Sequence, residues 1–316
     1  RSPSQRARIV LPLVLLARLD AKLQPTKAEF LRAVSGGRID KSQLDSGGRA
    51  AVTRAVRITG VPYFNTYEKT LPETLDSVGY ADRLGALVEG FDRRVRKDLN
   101  DLGIKTVARE LKDTDQLLAV LRTLTAIQRE LGGLSDHQFG ELIHSLLQLL
   151  TEATNENAAD CATPSDLVEL ATDVLHHHGG PGPNPIIRIY DPTCGTGGLL
   201  HAAGRKAFEL RQQAQVELRG HEDKTAMCAV ADLYLLLRTD EIYRGNLAKL
   251  DPTNPPAAVD GGDSLLDPGR GLAAGYHYAV CNPPMGSAGR WGGKGHEKSG
   301  KAITAEHEGD SEGRFG

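Results

Sequence analysis

One stretch near the middle of the chain constrains its fold more than any other. The β-branched run Ile186-Ile187-Arg188-Ile189-Tyr190 passes directly into Asp191-Pro192-Thr193-Cys194-Gly195-Thr196-Gly197-Gly198, and a helical apolar pattern follows from Gly198 to about Gln213. A strand, a glycine turn and a helix in that order are the opening unit of an α/β sheet. The glycines let the backbone turn sharply and approach a ligand with no Cβ in the way. The turn is not a P-loop, because no Gly-Lys-Ser/Thr follows it. Nor is it a complete dinucleotide fingerprint, since Leu200 stands where the third glycine belongs.

The same alternation continues on both sides. Upstream, Thr163 is placed to cap a helix with Pro164 at its first position and Asp166 in its first turn. Leu167, Leu170, Val174 and Leu175 form the apolar face of that helix. Downstream come a short strand at Val216–Arg219, a helix from Thr225 to about Arg238, and a last strand at Tyr276–Cys281. This predicts a mostly parallel, doubly wound sheet of the Rossmann-like kind.

Residues 1 to about 150 read differently. Apolar residues recur at helical spacing, as in Leu84, Leu87, Val88, Phe91 and Val95, or Leu142, Ile143, Leu146, Leu147 and Leu150. Glycine pairs at 36–37, 47–48 and 132–133 punctuate them, and strand-like alternation is almost absent. In the apolar run Ile9–Leu19, Pro12, Arg18 and the following Asp20 are read as interruptions. The expected organisation is a helical domain over 1–155 and an α/β domain over 156–316, joined through the polar stretch Thr151–Asp160, with no internal repeat.

Composition narrows the class. No apolar run approaches the roughly 18 residues of a membrane span, and no small-residue cleavage site follows the first apolar segment, so no signal peptide is read there. Four cysteines lie far apart, without metal or disulfide spacing, so a reduced cytoplasmic protein without a metal site is expected. His176-His177-His178 reads as a frayed surface helix end. The net charge of −3 means that any positive charge for a nucleic acid is local or comes from a partner.

Three acids and one proline motif carry the candidate chemistry. Asp191, at a strand end, suits a positively charged ligand such as the methionine part of S-adenosylmethionine. Glu222, in Gly220-His221-Glu222, stands where α/β folds place a ribose-binding acid. Asp263, in Gly261-Gly262-Asp263, is placed to reach an adenine; Asp251 is its rival, and Asp263 is preferred for its nearness to the next motif. That motif is Asn282-Pro283-Pro284-Met285, directly after the last strand. An exocyclic adenine amine is a poor nucleophile because its lone pair is delocalised. An asparagine oxygen and a backbone carbonyl accept its two hydrogens and favour a pyramidal nitrogen, and proline has no N–H to oppose them. Such catalysis is positioning and electrostatics, so Cys194 and Cys281 need not act as nucleophiles. A base in a duplex must be flipped out to reach the pocket. The tail with Arg290, Trp291, Lys294, His296, Lys298 and Lys301 is either a loop that closes over DNA or a solvated loop.

Together the two motifs resemble the Asp-Pro-x-x-Gly-x-Gly-Gly and Asn-Pro-Pro-aromatic signatures of the amino-methyltransferases, a class that also includes enzymes acting on protein glutamine and on RNA. The remainder of the chain is similar to the modification subunit of type I restriction–modification systems. The resemblance lies in Ile9–Asp20, Phe64-Asn65-Thr66, Phe91-Asp92-Arg93-Arg94-Val95-Arg96, Gly140-Glu141-Leu142-Ile143, and Thr163-Pro164 with Leu167-Val168. It runs from near residue 9 to about residue 290. It implies N6-adenine methylation of double-stranded DNA with S-adenosylmethionine as cofactor. Thr163, Pro164, Asp191, Pro192, Thr193, Gly195, Gly197 and Gly198 would line the cofactor pocket. Glu222 would bind the ribose, Asp263 the cofactor adenine, and Asn282, Pro283, Pro284 and Met285 the target base. A separate specificity subunit would read the sequence, with a restriction subunit and a second modification subunit as further partners and no membrane. Three departures stand out: Met285 replaces an aromatic, Cys161-Ala162 replaces an aromatic pair, and the family continues past residue 316 with more strands. The chain is therefore expected to be truncated at its C-terminus. The alternatives are a cofactor-binding scaffold without methylation, or an amino-methyltransferase acting on protein glutamine or RNA.

Overall fold

The computed structural model describes residues 3–74, 79–113, 116–152, 163–177, 186–211, 214–238, 257–262, 264 and 275–283. By its internal contacts the chain divides into two units, Arg1–Ala158 with Asp232–Ala258, and Ala159–Ala231 with Val259–Gly316.

The first unit is helical. Its long helix α1 (Pro3–Ser35) is followed by α2 (Lys41–Asp45), α3 (Arg49–Thr59), α4 (Leu71–Thr74), α5 (Tyr80–Glu89), α6 (Arg93–Asp101), α7 (Ile104–Asp113), α8 (Leu117–Gly133) and α9 (Asp136–Glu152). Neither Pro12 nor Pro25 ends α1. Leu11, Leu13, Val14, Leu15, Leu16 and Leu19 are all buried, and packing on this scale outweighs one missing backbone donor.

Arg18 and Asp20 are buried too, each with partners that make burial tolerable. The Arg18 guanidinium donates to the carbonyls of Leu131 and Leu134 and lies 5.1 Å from the Phe139 ring centroid. Those carbonyls belong to the end of α8, where a cation offsets the helix dipole. Asp20 accepts from the Leu71 N–H and the Gln128 amide, each at 2.9 Å, and Lys27 stands 3.9 Å away.

Two short segments singled out in the sequence meet here. Asn65 and Phe91 form an isolated antiparallel bridge, and the Asp92 N–H donates to the Phe64 carbonyl at 3.1 Å. Asp92 also caps α6, accepting from the N–H groups of Arg94 and Val95. Arg94 then makes a bidentate pair with Asp232, both bonds 2.6 Å, and donates to the Ala257 carbonyl at 2.7 Å. Asp98, buried one turn on, is hydrogen-bonded to the same Asp232.

In the second unit α10 (Ser165–His177) precedes β1 (Ile186–Asp191), α11 (Gly198–Leu210), β2 (Gln215–Glu222), α12 (Thr225–Leu237), β3 (Ala257–Gly261) and β4 (Tyr278–Ala279). α12 and β3 each contribute residues to both units. The sheet order is β3-β2-β1-β4, with β1 parallel to both β2 and β4. Ile187, Ile189 and Asp191 alternate into one buried face with Val216, Leu218 and Gly220, and Leu218 packs on α11 at Gly204.

Several boundaries differ from expectation. β2 runs to Glu222 rather than Arg219: its ladder with β1 continues until Asp191 pairs with Gly220, and on the β3 side the Glu222 carbonyl accepts the Gly262 N–H at 3.0 Å. β4 is two residues long where six were predicted, and β3 was not predicted at all. The stripe Leu167, Leu170 and Val174 is 51%, 60% and 58% exposed, so it is not the buried face of α10. The helix instead packs against α11 through the side carrying Thr172 and His176. His176 is consequently no frayed end: its Nε2 lies 3.1 Å from the Ala203 carbonyl and its ring meets Tyr278 edge-on. No helix among the described residues is long and apolar enough to cross a membrane.

Candidate active site

The strand order determines where a ligand can sit. From β1 the chain moves to β2 on one side, and β4 returns on the other side of β1. At such a reversal the loops leaving adjacent strands diverge and open a crevice at the strands' carboxyl ends. Asp191 is the last residue of β1, and Asn282 follows β4 by three positions. The Val280 N–H donates to the Tyr190 carbonyl at 2.9 Å, which holds the exit of β4 beside the exit of β1.

The glycine turn is stitched to the end of β2. The Cys194 N–H donates to the His221 carbonyl at 2.9 Å, and the Gly195 N–H donates to Glu222 Oε2 at 3.1 Å. Glu222 Oε1 accepts from the Lys224 N–H at 2.9 Å. Within the turn, the Thr193 N–H donates to Asp191 Oδ1 at 2.9 Å. Gly197 takes φ +80° as the N-cap of α11, a conformation that a side chain would strain. Gly220 faces the turn so closely that a Cβ there would lie 2.7 Å from Cys194 Sγ. Pro192, Thr193 and Gly198 complete the turn, and Gly198 begins the helix.

Burial controls the acids. Asp191 is 1% exposed, and this desolvation pushes its carboxyl up to about 7 against the opposing hydrogen bonds from Thr193. Glu222 is also raised, first by burial and then by a hydrogen bond shared with Asp223. The thiol of Cys281 is raised by burial and by the Asp191 charge, which leaves it protonated and a weak nucleophile.

Across the crevice, the Asn282 side-chain amide donates through Nδ2 to the Thr163 hydroxyl at 3.2 Å. Thr163 stands just ahead of α10, and the Pro164 carbonyl accepts the Val168 N–H at 3.0 Å. The Thr163 hydroxyl is therefore engaged by Asn282, a contact that its reading as a helix cap did not anticipate. Pro283 follows Asn282 and is exposed. Asp263, Pro284, Met285, the Cys161-Ala162 pair and the basic tail lie outside the described residues.

One further residue escaped the sequence reading. The imidazole of His221 is 2% exposed, and its Nε2 is buried with no hydrogen-bond partner among the described residues. A Cβ on Gly262 would lie 3.8 Å from that nitrogen. The available signal was its position between Gly220 and Glu222 at a strand end.

This donor set fits a cationic nucleoside. Two carboxyl groups end adjacent strands, the turn between them carries no bulky side chain, and the buried imidazole nitrogen of His221 near Gly262 has no hydrogen-bond partner among the described residues. Among the described residues no group of three His, Cys, Asp or Glu is arranged to hold a metal ion.

The family model described as N-6 DNA Methylase matches residues 134–309 of the chain. Among solved structures, the crystal structure of the type I restriction-modification system methyltransferase subunit from Streptococcus thermophilus aligns at 16% identity with a TM-score of 0.49. The alignment covers 90% of this chain and 59% of that subunit, so this chain spans 59% of its length. No curated protein matches.

Proposed function

From the premise that the chain belongs to the N-6 DNA methylase family, we propose that it moves a methyl group from S-adenosylmethionine to the N6 amine of an adenine flipped out of double-stranded DNA, as the modification subunit of a type I restriction–modification complex. The observation that carries this reading is the placement of Asp191 and Asn282 at the exits of β1 and β4, on either side of the strand reversal.

The cofactor supplies an electrophilic methyl group on a positively charged sulfur. Asp191 balances positive charge at the end of β1, and Glu222 offers acceptors for ribose hydroxyls while one of its oxygens holds the glycine turn. Thr163, Pro164, Pro192, Thr193, Gly195, Gly197 and Gly198 form the walls of the pocket, with Asp263 toward the adenine. Asn282 accepts a hydrogen of the target amine through Oδ1, and the stiff Pro283-Pro284 backbone presents a carbonyl for the other. Held there, S-adenosylmethionine would supply the methyl group, while Asn282 and the proline backbone hold the amine that receives it and gives up a proton to solvent. Met285 packs on the base through its thioether. Sequence recognition belongs in this reading to a separate specificity subunit, in keeping with the net charge of −3. A restriction subunit and a second modification subunit complete the complex.

Calorimetry with S-adenosylmethionine tests the pocket. Saturable binding by the wild-type chain that Asp191→Ala abolishes is the expected result. Binding unaffected by that substitution would place the cofactor elsewhere, and no binding by a folded chain would remove the reading.

A further inference from the structure

We infer that Thr163 is a positioning residue for Asn282, anchoring the amide so that its oxygen, and not its NH2, faces the substrate amine. This rests on the methyltransferase reading above and assigns Thr163 a task distinct from lining the cofactor pocket.

A primary amide has two unlike ends of nearly the same shape: Oδ1 only accepts, and Nδ2 only donates. The amine to be activated brings two N–H groups, so it can be held only by an acceptor. An amide turned the wrong way would set its own NH2 against those hydrogens, and rotation about the last side-chain bond is nearly two-fold and soft. Something must therefore occupy the NH2. In this structure the occupant is the Thr163 hydroxyl oxygen, 3.2 Å from Nδ2 and 119 residues away in sequence. Thr163 is well placed for this work. It is half-buried, and it is fixed in direction by Pro164 and the start of α10. Asn282, by contrast, is exposed beyond a two-residue strand, and among the described residues Thr163 is the hydrogen-bond partner of its side chain. A hydroxyl at 163 accepts from the NH2 as it does here, and once the amine's two N–H groups stand opposite, only this amide orientation satisfies both sides; a methyl group of the same shape offers no acceptor.

Two variants isolate the contact. Thr163→Val keeps the shape and removes the acceptor, and Thr163→Ser keeps the acceptor. Each is measured as the full chain with its DNA substrate and complex partners, for S-adenosylmethionine affinity and for kcat and KM of methyl transfer. In parallel, the Asn282 side-chain NH2 is followed by nitrogen-15 NMR on the chain without substrate, its resonances identified by their absence in Asn282→Ala. Thr163→Val is expected to lower kcat by about ten- to a hundredfold, the scale of a misplaced reacting group, and to weaken cofactor affinity by much less than that factor. Thr163→Ser is expected to restore most of the rate, and the Asn282 NH2 signals should shift in the valine variant only.

A valine variant that loses cofactor affinity but keeps kcat at saturation would make Thr163 a cofactor contact and overturn the inference, as would a valine variant matching wild type in rate. A wild-type chain that binds no S-adenosylmethionine would defeat the methyltransferase reading instead. The NMR arm would still decide the anchor, because identical Asn282 NH2 signals in wild type and Thr163→Val show that no anchor exists.

Discussion

The Gly195 N–H donates to Glu222 Oε2 at 3.1 Å, so the turn after β1 and the acid ending β2 form one hydrogen-bonded unit before any ligand arrives. The other oxygen of Glu222 holds the Lys224 N–H at 2.9 Å. A carboxylate can accept at both ends, and an amide cannot. Glu222→Gln must turn its NH2 toward one of those two donors, leaving a half-buried N–H unmatched. We expect a loss of about 1–2 kcal/mol in urea unfolding, together with weaker cofactor binding. An unchanged unfolding midpoint would mean that the turn does not depend on this bond.

Asp191 links the site to pH. Burial raises its carboxyl to about 7 in the folded chain, against 3.8 ordinarily. The sign follows: the stability this group contributes is full below its ordinary value and is lost as pH rises through about 7. A cationic ligand has the opposite preference, because it favours the ionised carboxyl. Binding of S-adenosylmethionine near pH 7 should release a fraction of a proton and tighten as pH rises toward 8. Calorimetry in buffers of different ionisation enthalpy reads the release directly, and Asp191→Asn should abolish it. A binding enthalpy that is the same in every buffer would contradict the assignment.

Gly220→Ala tests how closely the turn fits β2. The new methyl would lie 2.7 Å from Cys194 Sγ and 3.2 Å from Cys194 Cβ, atoms of the turn itself. The turn must then move or the strand must bend, at a cost of about 1–3 kcal/mol. Thermal unfolding should show the loss, and the double variant Gly220→Ala with Cys194→Ala should recover part of it.

In the helical unit the carboxyls of Asp98 and Asp232 share one hydrogen bond beside Arg94. Burial, and then the Asp232 charge, push Asp98 up to about 8, while Arg94 and Lys97 pull it down. Asp98 thus contributes most below the ordinary carboxyl range, and its contribution falls as pH rises through about 8. The melting temperature of the wild-type chain should decline between pH 6 and pH 9 more steeply than that of Asp98→Asn, whose amide keeps a donor for Asp232. Arg94→Ala, which leaves Asp232 buried without its cation, should lower stability by about 3–5 kcal/mol.

Much of this architecture was legible in the sequence because its signals are local. The β-branched run before Asp191, the glycine turn and the helix after it are read from neighbouring residues, and β1 and α11 appear where expected. Long-range features were not legible. Arg18 and Asp20 look like interruptions of an apolar run until Leu131, Leu134, Leu71 and Gln128 arrive to satisfy them. The extension of β2 to Glu222 depends on partners distant in sequence, the Asp191 pairing at Gly220 and the Gly262 N–H on the Glu222 carbonyl, which a Gly-His-Glu sequence does not announce. The apolar spacing of α10 indicated a helix correctly but not which side is buried, because the packing of α10 on α11 decides that. For the site, the sequence indicated which residues to examine, but the contact between Asn282 and Thr163 joins positions that no local pattern relates.

The two-residue β4 has a consequence for how the crevice opens. Its pairing with β1 is recruited from 89 positions away, at Arg188 and His277, and spans only a few hydrogen bonds, whereas β1 and β2 share a six-residue register. Amides along 277–280 should therefore exchange with solvent deuterium sooner than those of β1 and β2, through an opening that leaves the rest of the sheet intact. One wall of the crevice is then a lightly pinned panel and the other a fixed post.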